Sequence, residues 1–328
     1  MQGDFRFSPL ENGLDFLLSS LEHLTAASFI AKPGEELTPE QTWHQKRHLK
    51  YAVLHLCSSI EVFFKVRLKQ EHWSLVFANV DKADQTAQDE GDFESVAFRD
   101  LMGRLVRICK IDFSEEQRRQ LTNLRKRRNR MEHFGAVDSL LAISASVSTM
   151  VSFTVDFVES TFKPKDLQEQ RILINQIRGR LGSCSAFIDQ RWKDIRKDVD
   201  GFNSVIECPT CLQPALEVDA GSIRCRFCYH TANPKEAAIE YITRVLADDS
   251  RNAVEKDGGK WPLNACPNCG SDTLVTRIPD HGSFCFTCGR KWALGGLTRC
   301  SCGKQFVVTD DDDIGICATC FRMRKEKD

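Results

Sequence analysis

The chain has 328 residues, 41% of them apolar and 28% charged, with 45 Lys and Arg against 46 Asp and Glu. That composition suits about two folded domains and excludes wholesale disorder, while a net charge of −1 excludes binding to nucleic acid by bulk positive charge. The anomaly is 15 cysteines: Cys57, Cys109 and Cys184 precede residue 200, and the other twelve crowd into residues 208–320, so two kinds of sequence are joined end to end.

The first 200 residues read as helices. Ser8-Pro9 is a start signal, a cap followed by Pro at the first helical position, and Leu10, Leu14, Leu17, Leu18, Leu21 and Leu24 then recur at helical spacing. Thr38-Pro39 repeats the signal and opens a long helix through Leu49, Val53, Leu56, Ile60, Phe63, Phe64 and Leu68. Residues 79–94 are polar and acidic without apolar period, which predicts an exposed loop, and a shorter helix follows over 95–108. Ser114 with Gln117 forms a capping box for a helix that runs to about Phe134, where Gly135 stops it. Asp138 is expected to cap the next helix, which ends near Phe162 before Pro164, and residues 165–199 hold one or two more amphipathic helices. The apolar stretch 140–158 is interrupted by Ser144, Ser146, Ser148, Thr149, Ser152, Thr154 and Asp156, so it reads as a core helix rather than a membrane span. The opening residues carry no secretory pattern, and the expected location is the cytoplasm, where thiols stay reduced and clustered cysteines bind metal.

After residue 202 the cysteines come in pairs: Cys208 and Cys211 with Cys225 and Cys228; Cys266 and Cys269 with Cys285 and Cys288; Cys300 and Cys302 with Cys317 and Cys320. A short spacer lets one tight turn aim two sulfurs at one ion, and a gap of about 13–15 residues is room for a β-hairpin that brings back the second turn. These segments resemble zinc ribbons, with glycines after Cys269, Cys288 and Cys302 suited to a turn that needs positive φ. Three Zn²⁺ ions, four thiolates each, leave no open coordination position, so the expected role is structural. His230 and His281 lie near two of the sites without being required as ligands. Phe227, Tyr229, Phe284, Phe286, Trp292 and Phe306 either fill small cores or stack on bases, with core filling the expectation. Residues 201–328 carry 16 Lys and Arg against 17 Asp and Glu, and three four-thiolate zinc sites would bring that tail to about −7, a poor phosphate binder.

Residues 117–134 read QRRQLTNLRKRRNRMEHF, with seven basic residues and no acidic one between Arg118 and Arg130. Arg118 and Arg119 read as a solvated face. Arg125, Lys126, Arg127 and Arg130 are candidate RNA contacts, and Arg128, Asn129 and His133 are candidate catalytic groups. Asn129 and His133 share one helix face, whereas Arg128 and His133 are about 140° apart around the helix, so a second copy of the chain could complete a compact site. An imidazole that takes or gives a proton and a guanidinium that clamps a phosphate are what RNA cleavage by 2′-hydroxyl attack needs without a metal.

An all-helical domain with R-N-x-x-x-H near the end of such a helix resembles the HEPN family, whose motif falls here on Arg128, Asn129 and His133. The long helix adds Glu61-Val-Phe-Phe-Lys65 and Glu71-His72-Trp73, similar to the E-x-x-x-K helix of several HEPN families. The resemblance covers about residues 10–162. It implies a metal-independent endoribonuclease that acts as a homodimer with a composite cleft, of the kind found in toxin–antitoxin and phage-defence systems, with an RNA substrate and an inhibitory partner or antitoxin.

The expected architecture is therefore an all-α, HEPN-like helical bundle followed by small zinc-ribbon β-hairpin modules. Its expected segments are a helical domain at 1–163, a helical connector at 164–201, and ribbons at 202–230, 263–291 and 292–328, with a helical linker at 231–262. Two rival readings remain open: a non-catalytic HEPN-like module that binds RNA or protein with the ribbons as its recognition surface, and a regulator that reads DNA through the ribbons. The other histidines, His23, His44, His48, His55 and His72, fit no ligand spacing and are left unassigned.

Overall fold

Capping boxes organise the helical half, the first of them between Ser8 and Glu11. Thr38 accepts from the Gln41 amide and Gln41 returns a bond to the Thr38 amide, so the first turn of its helix begins with its orphan donors satisfied; Ser114 and Gln117 do the same further on. The computed structural model describes residues 7–30, 36–135, 138–202, 205–246, 262–278, 282–307 and 317–325. Of the described residues 61% are helical, with small antiparallel sheets toward the C-terminus, and the chain divides into two units, Met1–Lys193 and Asp194–Asp328.

In the first unit α1 (Pro9–Ile30) packs along α2 (Pro39–Glu71), and α4 (Phe98–Arg107), α5 (Glu115–His133) and α6 (Leu140–Thr161) pack on α2. Leu14, Leu17, Leu21 and Leu24 of α1 and Leu49, Val53, Leu56, Ile60, Phe63, Phe64 and Leu68 of α2 are buried as the periodicity predicts, while Leu10 and Leu18 are only half-buried. Phe64 sits among Phe98, Phe113, Phe153 and Phe157, with ring centroids 5.0–6.4 Å away. The close approach of α1 to α2 depends on Gly13, where a Cβ would come within 2.7 Å of the Phe63 ring, while Ser59 Oγ donates to the Gly13 carbonyl at 2.8 Å.

Several expectations change. The stretch 79–94 is not structureless: it holds a 3-10 turn at Val80–Lys82 and α3 (Gln85–Glu90), capped by Asp84 and ended at Gly91. Short caps supply there what an apolar period does not. The helix expected at 95–108 begins only at Phe98, because Ser95 bridges to Phe77 in extended conformation. Ser139, not Asp138, caps α6. The segment 164–199 forms α7 (Pro164–Glu169), α8 (Arg171–Ser183) and α9 (Ser185–Asp200). Its α8 packs on α1 through buried Ile177 and Leu181, and Arg191 of α9, 1% exposed, bonds Asp156 at 2.7 Å and Ser152 at 3.1 Å, so most of the expected connector belongs to the helical unit. Helix α6 is, among the described residues, the one helix long and apolar enough to cross a membrane, and 56% of its apolar window is buried inside the protein.

The second unit contains three small antiparallel sheets: β1 (Val205–Ile206), β2 (Leu216–Asp219) and β3 (Ser222–Cys225); β4 (Leu263–Asn264), β5 (Leu274–Ile278), β6 (Gly282–Cys285) and β7 (Lys291–Trp292); β8 (Leu297–Arg299) and β9 (Gln305–Val307). Between the first two lies α10 (Pro234–Arg244), which is more than a linker. It packs on β3 and β5 with Ala237, Ala238, Tyr241 and Ile242 buried; the Tyr241 hydroxyl donates to Glu207 at 3.1 Å and its ring meets Phe286 at 5.4 Å. Helix α11 (Ala318–Lys325) follows Cys317.

Candidate functional site

The twelve clustered cysteines form three groups, Cys208/211/225/228, Cys266/269/285/288 and Cys300/302/317/320, with the four sulfurs of each group within 4.8 Å of one another. Sulfurs facing each other across the groups are 3.7 or 3.9 Å apart. Four sulfurs about 2.3 Å from a central Zn²⁺ in a tetrahedron stand about 3.8 Å from each other, whereas a disulfide needs about 2.05 Å, so the geometry fits metal ligation and all 15 cysteines are free of disulfides. The backbone explains how the turns achieve this. After the second cysteine of five of the six pairs the chain turns left-handed: Leu212 (φ 60°), Tyr229 (φ 59°), Gly270 (φ 75°), Gly289 (φ 68°) and Gly303 (φ 89°). In the first ribbon, non-glycine residues hold that conformation, a cost of about 1–2 kcal/mol each that the sequence pattern of glycines does not reveal.

Crowding divides the thiols. Burial pushes Cys266 up to about 12, while at Cys269 hydrogen bonds from Ser271, Cys266 and Cys285 outweigh burial and lower it to about 7. A dication among them replaces that competition with four bonds to thiolate. The residues that would hold it are the four cysteines of each group; His230 is buried with its Nε2 3.4 Å from Glu240 and gives its carbonyl to the Cys225 amide, and His281 lies outside the described residues. Phe227, Phe284, Phe286 and Trp292 are buried and fill the ribbon cores; Tyr229 is half-buried under the Arg224 guanidinium at 5.0 Å, and of Phe306 only the backbone, in β9, is described.

Helix α5 presents the second candidate site. At its last turns Glu132 reaches back to Arg128, with Oε2 2.7 Å from Nη1 and Oε1 3.2 Å from Nη2, and the same Oε2 is 3.5 Å from His133 Nε2. Arg128 also donates to Asn129 Oδ1 at 3.1 Å. One carboxylate therefore joins the guanidinium to the imidazole despite their separation around the helix, and the cluster is open to solvent, with His133 58% exposed. Phe134 beside it is 91% exposed and Leu141, in the first turn of α6, is 84% exposed.

The other basic residues separate. Arg127 (3.4 Å) and Arg130 (3.2 Å) both pair with Asp138, which ties the end of α5 to the start of α6. The Arg125 guanidinium covers the Phe98 ring at 5.1 Å, and Lys126 is exposed. Arg125 and Arg128 wall a cavity of about 60 Å³ shared with Cys57, Glu61 and Phe98. Burial pushes the Cys57 thiol up to about 12 against the opposing pull of Arg128, so it is inert at neutral pH. Glu61 bonds Lys65 at 2.6 Å, and Lys65 in turn donates to Ser95 at 3.0 Å, which anchors α2 to the following loop.

Two groups went unassigned in the sequence. Glu132 is one, and its i,i+4 spacing from Arg128 is the signal that allows the pair. His23, His48 and His55 come together between α1 and α2, and the spacing His44, His48, Tyr51, His55 along one face of α2 is the signal that could have shown it. His44 instead faces Glu40 at 3.9 Å, and His72 accepts from the Ser74 amide. Comparison with protein families, with curated proteins and with solved structures gives no match.

Proposed function

We propose that the chain is a metal-independent endoribonuclease of HEPN type, an effector of the toxin–antitoxin or phage-defence kind that acts in the cytoplasm under control of an inhibitory partner. The observation that carries this reading is the solvent-open set of Arg128, Asn129, Glu132 and His133 at the end of α5. His133 takes the proton of a ribose 2′-hydroxyl as its oxygen bonds to the adjacent phosphorus. The bond from phosphorus to the 5′-oxygen breaks, and that oxygen receives a proton. The products are a 2′,3′-cyclic phosphate and a 5′-hydroxyl. Arg128 clamps the phosphoryl oxygens as charge develops, Asn129 positions them, and Glu132 holds Arg128 and His133 in register.

Each chain offers one His133, and the reaction needs both an acid and a base. A homodimer that covers Phe134 and Leu141 would bring two sets into one cleft. The three four-cysteine sites are closed, so zinc serves the fold of the tail and not the phosphoryl chemistry.

A second reading has its own observation: Arg127, Arg128 and Arg130 are already paired with carboxylates, which suits a module that binds RNA or protein without cutting. The two readings separate on incubation of the protein with RNA in EDTA. Cleavage to cyclic-phosphate ends that is lost in His133→Ala supports the nuclease, with a loss of about 10²–10⁴-fold for removal of a general acid or base. Binding without cleavage supports the module.

A further inference from the structure

The half-buried histidines between α1 and α2 have no part in that chemistry. His23 Nδ1 and His48 Nδ1 are 3.0 Å apart. Tyr51 stacks on His23 at 5.4 Å, and the ring of His55 is 5.5 Å from that of His23, with its Nδ1 2.8 Å from Ser19 Oγ. Between two neutral imidazoles, 3.0 Å is a hydrogen bond. It is also the spacing of two ligands on one ion, since bonds of about 2.0–2.1 Å that meet at roughly tetrahedral or octahedral angles put their nitrogens about 2.9–3.4 Å apart. An ion at that bond length sits to one side of the line between the two nitrogens, so the rings must turn toward it about their side-chain bonds to bring both lone pairs to bear.

The surroundings keep the imidazoles in the form that binds metal. Burial, then the neighbouring His55, His48 and Arg47, lowers His23; burial, then Arg47 and His44, lowers His48; burial outweighs the opposing Asp15 carboxylate to lower His55. Neutral imidazole is the ligating species. Arg47, 5.5 Å from the Tyr51 ring, repels any cation, so an ion must gain from bonds to nitrogen rather than from charge alone. That selects the late first-row metals over Mg²⁺ or Ca²⁺.

We infer that His23 and His48 form a two-imidazole site for a late first-row divalent ion, separate from the cysteine groups, with His55 beside it. Ni²⁺ is a suitable probe, because it favours imidazole while zinc holds the thiolate sites. Full-length protein loaded with zinc and dialysed against excess Ni²⁺ should retain about one nickel per chain beside the zinc of the three four-cysteine sites. The imidazole resonances of His23 and His48 should broaden first in the NMR spectrum. His23→Gln and His48→Gln should each lose the nickel at the same free concentration with zinc content and helical signal unchanged, and His72→Gln should keep it. Absence of bound nickel in the unaltered chain, or nickel retained in both His23→Gln and His48→Gln, overturns the assignment. Broadening centred on other histidines in the unaltered chain overturns it independently of how the variants fold.

Discussion

The two units are held together by different means. In the helical unit, side chains from α1, α2, α4, α5 and α6 make a core of leucine and phenylalanine, and each fully buried side chain of that size contributes about 1.5–3 kcal/mol. In the cysteine-rich unit the strands have only 2–5 residues, and a buried cluster of the middle ribbon joins Leu274 and Trp292 to Cys266 and Cys285, so candidate metal ligands are themselves part of the core. A metal bound by those groups would complete the small cores of such a unit. At the surface of the helical unit α5 exposes an arginine–glutamate–histidine cluster that takes no part in that core.

The largest expected effect breaks the comparison at the metal. Chelation of zinc should unfold the region after Asp194, where structural zinc is worth about 10–16 kcal/mol, and leave the helices of the first unit folded. Circular dichroism should keep most of its helical signal while proteolysis degrades the tail; simultaneous loss of both would show that the units are not independent.

Next in size is Phe64→Ala, which removes the ring at the centre of five aromatics and should cost about 3–5 kcal/mol. Denaturant unfolding should report that loss in the helical unit with zinc content unchanged.

Acid sharpens the contrast further. His23, His48 and His55 sit below 6.5 in the folded unit because burial disfavours their charge, so the unfolded chain binds more protons than the folded one once the pH falls below about 6.5. In the zinc-free protein, where the tail no longer contributes, the midpoint of helix unfolding should hold steady above pH 6.5 and decline below it. The decline should be smaller in His55→Gln.

The smallest effect is a gain. Leu212 is exposed in the left-handed conformation that the other two ribbons give to glycine, so Leu212→Gly should stabilise the first ribbon by about 1 kcal/mol, read as slower zinc loss to a chelator. Faster loss would mean that the leucine packs usefully in spite of its strain.

Much of this molecule is legible in its sequence, and the reasons are local. Ser8-Pro9, Thr38-Pro39 and Ser114 with Gln117 mark helix starts because a cap acts on amides within one turn. The cysteine pairs announce their groups because a spacer of one or two residues fixes how two sulfurs can point. The stretch 79–94 misleads because Asp84 and Gly91 build α3 without an apolar face. Asp138 sits one residue before the true cap, and its carboxylate is taken by Arg127 and Arg130, a choice made by the turn from α5 to α6. The pairing of His23 with His48 depends on how α1 lies against α2, which no pattern within one helix states.

On the proposed function the chemistry belongs to α5 and the metal to the fold of the tail. One measurement tests both parts: the rate of RNA cleavage, with product ends identified, for zinc-loaded protein, for zinc-depleted protein and for His133→Ala. Cyclic-phosphate ends are expected at comparable rates with and without zinc, with a loss of about 10²-fold or more in His133→Ala. A rate that follows zinc content, or a His133→Ala protein that cuts as well as the unaltered chain, would contradict it.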